Sequence, residues 1–284
     1  MLIGSTLFFQ ARICLKPNPP FDHERMNLLK ASSLLLLLLL SAAFTPEKGS
    51  FEDIQKNFSR VKEVYERKEE LIKMKCRSMD IPEETFGKIF IRVFKMECVM
   101  EVWVEKPDGK YIKFKEFNIY ALSGLLGPKR REGDRQVPEG FYYINEFNPQ
   151  SNYYLSLGIN YPNESDMKLS DAPRKGADIF IHGAQCSAGC LAMSNYYIED
   201  IYMCAVKAKA NGQEKIPVEI FPFKMTSVNM AYYNQFAPYK QHAAFWNNLR
   251  KGYQFFERTN HVPEVTVDGN GQYQFFYPSI AQAQ

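Results

Sequence analysis

The chain has no block of like charge. Its 35 Lys and Arg are interspersed with 32 Asp and Glu. That excludes the basic stripe a nucleic-acid-binding face requires. There is no internal repeat, which sets aside solenoid and propeller architectures. There is no glycine-rich phosphate loop, so nucleotide-dependent chemistry has no footing in the sequence. A long apolar run is also missing. The stretch Leu34–Leu40 holds seven leucines, well short of the ~20 apolar residues of a membrane-spanning helix. No cysteine follows it, so a lipid-anchored N-terminus is not indicated.

That short run reads instead as part of a leader. Lys30 precedes Ser32 and Ser33, the leucines follow, and Ser41-Ala42-Ala43 supplies small residues for cleavage. Residues 1–43 are therefore expected to direct export to the periplasm or cell envelope. Pro17, Pro19, Pro20 and several charges are foreign to the start of a leader, which places the expected first residue at Met26. Removing the leader discards Cys14 and leaves Cys76, Cys98, Cys186, Cys190 and Cys204. An odd count in an oxidising compartment keeps at least one thiol free or paired between chains.

What the chain does have is aromatic side chains, 17 Tyr and 22 Phe over 284 residues, enough for one or two globular domains. The periodicity predicts an N-terminal helical region (residues 44–87) with one helix over Phe51–Lys75. A period of two then predicts strands from Lys88, over Val99–Glu105 and over Tyr111–Tyr120, forming an antiparallel meander around Pro107–Lys110. Further strands are expected at Phe141–Phe147, Tyr153–Leu157 and Pro217–Phe223, with Gly158–Lys175 as a polar loop. Ser194 is expected to cap a helix running to Asn211-Gly212. Residues 88–225 would form the main domain. Residues 226–284 would form an extension of one or two helices broken near Pro238, then a hairpin over Glu264–Tyr277.

The chemistry concentrates in Asp178-Ile-Phe-Ile-His182-Gly183-Ala-Gln-Cys186-Ser187-Ala188-Gly189-Cys190. A strand-like run delivers His182, and a Gly- and Ser-rich turn delivers Cys190. A thiol becomes a good nucleophile near neutral pH when a base stands beside it, and imidazole is the usual one. Gly183 and Gly189 let backbone approach a substrate and turn N–H groups toward a developing oxyanion. Zinc ligation by His182, Cys186 and Cys190 is a competing reading. It lacks a fourth ligand nearby, and no metal is expected. A redox pair of Cys186 and Cys190 is a further alternative. In the charged loop before Phe141, Lys129, Arg130, Arg131 and Arg135 could form a rim that pairs with substrate carboxylates.

These residues resemble a known family. His182-Gly183 followed by Ser187-x-Gly189-Cys190 is similar to the signature of the L,D-transpeptidase (YkuD-type) catalytic domain. Gly127-Pro-Lys129, Glu132-Gly-Asp-Arg135 and Pro138-Glu-Gly140-x-Tyr142 resemble a second motif of that family. The short His-to-Cys spacing and Cys190-Leu-Ala-Met193 point to its YafK-like branch. The resemblance implies an α+β, mostly β fold: a mixed sheet with flanking helices and a helical and hairpin tail. It implies Cys190 as nucleophile and His182 as general base, with Ser187 and Gly189 shaping the turn and oxyanion site. Gly183, Arg135, Lys129 and Tyr142 are the expected substrate-binding residues. The implied substrate is a peptidoglycan stem peptide, cross-linked or attached to protein through a Cys190 thioester, or hydrolysed at the same linkage. A wall-linked lipoprotein is a candidate partner, and no cofactor is expected. The chain departs from the family pattern at Ala188 and Ala192, where family members carry groups able to hold a carboxylate, and in the extra Cys186.

Overall fold

The computed structural model describes residues 49–82, 86–176 and 178–278. The expected leader, with Met26 and Cys14, lies outside them. Among the described residues no helix is long and apolar enough to cross a membrane.

The scaffold is one mixed eight-stranded sheet in the order β3-β2-β1-β8-β4-β5-β6-β7. Its strands are β1 (Ile89–Phe94), β2 (Val99–Glu105), β3 (Tyr111–Asn118), β4 (Gly140–Asn148), β5 (Ser156–Ile159), β6 (Phe180–His182), β7 (Leu191–Ala192) and β8 (Ile216–Phe221). The first three form the antiparallel meander anticipated from the period of two. β1 pairs parallel with β8, and β6 parallel with β7.

β1 shows how the sequence builds two cores. Successive side chains leave opposite faces of a strand. Ile89, Ile91 and Val93 enter one apolar cluster with Val61, Val64, Ile72 and Ile201. Phe94 enters a second cluster with Phe141, Phe221, Trp246 and Leu249. Both faces of β1 are thus covered, and all six of its residues are buried. The first face carries α1 (Phe51–Lys56), α2 (Ser59–Arg77) and α4 (Ser194–Ala210). The second carries α7 (Ala243–Thr259) and the hairpin β9 (Glu264–Val267) to β10 (Tyr273–Phe276), preceded by α5 (Ser227–Asn234) and α6 (Ala237–Lys240).

Five local expectations change, one of them in the tail, where three helices (α5, α6 and α7) stand in place of one or two and Pro238 lies within α6. The helix predicted over Phe51–Lys75 is two helices, parted at Asn57-Phe58, where Phe58 is extended. The strand predicted over Tyr153–Leu157 begins at Ser156, because Tyr154 has a left-handed φ of 76° that no strand accommodates. The polar loop after Gly158 contains α3 (Glu164–Leu169), whose first turn is closed by reciprocal bonds between Asn163 and Asp166. Ser194 is the first residue of α4 and makes no cap; Met193 precedes it without a side-chain bond.

Candidate active site

His182 is the last residue of β6, and Cys190 immediately precedes β7. The parallel register pairs Ile181 with Leu191 and His182 with Ala192. Cys190 stands two residues before Ala192, the register partner of His182, in the bend that leads into β7. Between His182 and Cys190 runs the tight turn 183–189.

The sulfur is partly exposed, and Cys190, like Cys98, Cys186 and Cys204, is in no disulfide. Cys190 Sγ accepts the Phe180 N–H at 3.4 Å and faces the Asp178 carbonyl at 3.7 Å. Burial pushes its pKa up, and the Phe180 N–H opposes that. His182 is buried, and its ring lies against Tyr153 with centroids 4.7 Å apart. Its Nδ1 meets the Gly183 carbonyl. A carbonyl only accepts, so Nδ1 carries the proton and Nε2 keeps its lone pair. Burial pushes the imidazole pKa down, so the ring is held neutral. Among the described residues, ring and sulfur each bond to backbone and not to one another. Burial thus favours the neutral form of both the Cys190 thiol and the His182 imidazole.

The turn is held from two sides. Ser187 Oγ donates to the Cys190 carbonyl at 2.7 Å. Gly189 has φ +114°, a conformation glycine reaches without strain. Its N–H donates to Ser123 Oγ at 2.6 Å. This corrects one expectation: the Gly189 N–H is already committed and cannot serve an oxyanion. The Cys190 N–H has no partner among the described residues and stays available.

The remaining predicted residues divide. Gly183 borders the site, but a Cβ there would lie 2.7 Å from both Asn195 Oδ1 and the Tyr153 carbonyl, so protein atoms fill its free side. Arg135 is exposed on the neighbouring loop and gives its carbonyl to Ser123. Lys129 is buried and paired with Asp134 and the Arg131 carbonyl, and Tyr142 is buried and donates to Asp166 at 2.9 Å. Both were expected to face substrate and both are satisfied internally. Arg130 is likewise tied to Asp166, whereas Arg131 is exposed. Cys186 is exposed, and among the described residues no three His, Cys, Asp or Glu side chains converge as a metal site would need. Three residues at the site escaped sequence reading: Ser123, Tyr153 and Asn195, whose Oδ1 accepts the Ala184 N–H. Only Ser123-Gly124, a small hydroxyl residue before a glycine, carried a signal.

Residues 91–220 match the model of the L,D-transpeptidase (YkuD) catalytic domain, a span that runs from within β1 to within β8 and includes the turn with His182 and Cys190. An Escherichia coli (strain K12) protein named "Putative L,D-transpeptidase YafK" is 36% identical over 199 residues, covering 69% of this chain and 77% of that protein. The chain belongs to the L,D-transpeptidase family. Among solved structures, the helical cell shape determining protein Pgp2 of Campylobacter jejuni is 20% identical with a TM-score of 0.39, covering 65% of this chain and 76% of that one. Bd1075 of Bdellovibrio bacteriovorus is 21% identical with a TM-score of 0.37 over 49% of each chain. The turn between β6 and β7 carries Cys190.

Proposed function

We propose that this L,D-transpeptidase family member is an exported cysteine acyl-transferase acting on peptidoglycan stem peptides. The observation that carries the reading is the placement of a partly exposed thiol and a neutral imidazole, its Nε2 unprotonated, at the two ends of the turn that joins β6 to β7. In the reaction, His182 Nε2 takes the Cys190 proton as Sγ attacks the scissile carbonyl carbon. The Cys190 N–H, still unpartnered, receives the oxyanion. One such donor typically contributes ~3–4 kcal/mol. The imidazolium then protonates the leaving amine as the carbon–nitrogen bond breaks, leaving a Cys190 thioester. An acceptor amine resolves it by transpeptidation, and water resolves it by hydrolysis.

The leader expected over residues 1–43 supports export. The wall-linked lipoprotein implied by the resemblance is not part of the proposal. Mass spectrometry of the enzyme mixed with muropeptides tests the reading. A mass increase on Cys190 with dimeric products is expected. Trimmed monomers alone would assign hydrolysis, and full turnover by Cys190→Ala would remove both.

A further inference from the structure

The loop before β4 reaches across the site and ties itself to the nucleophile turn at several points. Ala121 bridges Ala192, with mutual backbone bonds at 3.2 Å. Beyond that bridge, Ser123 Oγ accepts the Gly189 N–H at 2.6 Å, lies 3.0 Å from Ser187 Oγ, and donates to the Arg135 carbonyl at 2.8 Å. Ser187 in turn donates to the Cys190 carbonyl at 2.7 Å. One hydroxyl thus links the two ends of its own loop and both residues that shape the turn. Two hydroxyl protons serve three oxygen contacts here. Whenever Ser123 donates to Arg135, Ser187 is left to choose between the Cys190 carbonyl and Ser123.

We infer that Ser123 is a positioning residue for the acylation step: by accepting the Gly189 N–H and contacting Ser187, it restrains the peptide that precedes the Gly189–Cys190 unit and so limits where the Cys190 N–H can point as the oxyanion forms. This rests on the reading of Cys190 as nucleophile. Ser123 touches neither the sulfur nor the imidazole, so it leaves thiol ionisation alone. Its effect is confined to backbone geometry around the reacting carbonyl. Displacements of about 1 Å in such geometry cost roughly 10²-fold in rate.

The test compares wild type, Ser123→Ala and Ser123→Thr in two assays. One follows acyl-enzyme formation on Cys190 with a disaccharide tetrapeptide, and the other follows alkylation of Cys190 by iodoacetamide across pH. Ser123→Ala should acylate roughly 10²-fold more slowly. Its KM should stay within about twofold, because a group acting only in the transition state leaves ground-state binding alone. Its alkylation rate and pH midpoint should match wild type, and Ser123→Thr should restore acylation. Wild-type acylation by Ser123→Ala overturns the inference. So does a loss accompanied by an altered alkylation midpoint or a raised KM, which marks general damage. Should Ser123→Ala not fold, Ser123→Cys, similar in size but a poorer acceptor, carries the same comparison, and undiminished acylation overturns the inference there too. Absence of any acyl-enzyme in wild type would instead defeat the underlying reading.

Discussion

At the scale of single residues, the unusual feature is that neither member of the candidate pair is charged at rest. Burial raises the Cys190 pKa from its ordinary value and lowers that of His182. In the proposed mechanism the thiol gives up its proton only as the bond to carbon forms, which assigns the acid limb of the rate profile to the imidazole. Turnover should fall as pH drops through a value below 6.5, the ordinary value for His182, and hold above it. Alkylation of Cys190 by a small probe needs the free thiolate, and its midpoint should lie above the ordinary cysteine value. A pH–rate profile of kcat/KM beside an alkylation profile checks both, and coincident midpoints would contradict the neutral resting pair. His182→Gln should lower kcat by roughly 10²–10⁴-fold, the usual weight of a general base. His182 and Cys190 were legible as candidates because few residue types perform this chemistry and a Gly-flanked turn is a visible signal. The tautomer was not, since it depends on where the Gly183 carbonyl lands.

At the scale of elements, the loop from Ile119 to Glu139 holds the site, and a buried ion pair holds the loop. Glu139 is fully buried and accepts from Lys95 Nζ at 2.9 Å, the Gly127 N–H at 2.7 Å and Trp246 Nε1 at 2.8 Å. It joins the end of β1, the loop and α7 at one carboxylate. Burial lowers the Lys95 pKa, and Glu139 opposes this by favouring the charged ammonium. Removing one partner of a buried pair strands the other in an apolar interior. Glu139→Ala should therefore cost about 3–5 kcal/mol, read by denaturant unfolding. The substitution should also slow acylation, because the loop bearing Ser123 loses its anchor. The same elements show where pattern reading ran short. Lys129 and Tyr142 sit in a charged, Gly- and Pro-punctuated stretch that reads as an open rim. Instead Asp134 and Asp166 turn back into the fold and draw Lys129, Arg130 and Tyr142 inward with them.

For the molecule as a whole, the C-terminal helices and hairpin cover the second face of the sheet. Trp246, Leu249, Tyr253 and Tyr273 pack on Phe94, Phe141 and Phe221, and all seven are buried. A chain ending near residue 225 would leave that aromatic face in water and should aggregate, which light scattering would detect. Trp246→Ala, leaving a cavity in the same cluster, should cost about 3–5 kcal/mol in thermal or denaturant unfolding. The amino-acid sequence by itself determined the strands of the meander, the alternation along β1, the candidacy of His182 and Cys190, and the family resemblance. Those features are local: they follow from side-chain period, turn residues and the reactivity of single groups. Tertiary structure alone decided that Ser123 meets Gly189 and that Gly189 yields its N–H to that hydroxyl. It also decided which basic residues of the loop are spent on internal carboxylates. Such partnerships join residues far apart in the chain, and only the register of β6 with β7 and the path of the loop across them bring the groups within hydrogen-bonding distance.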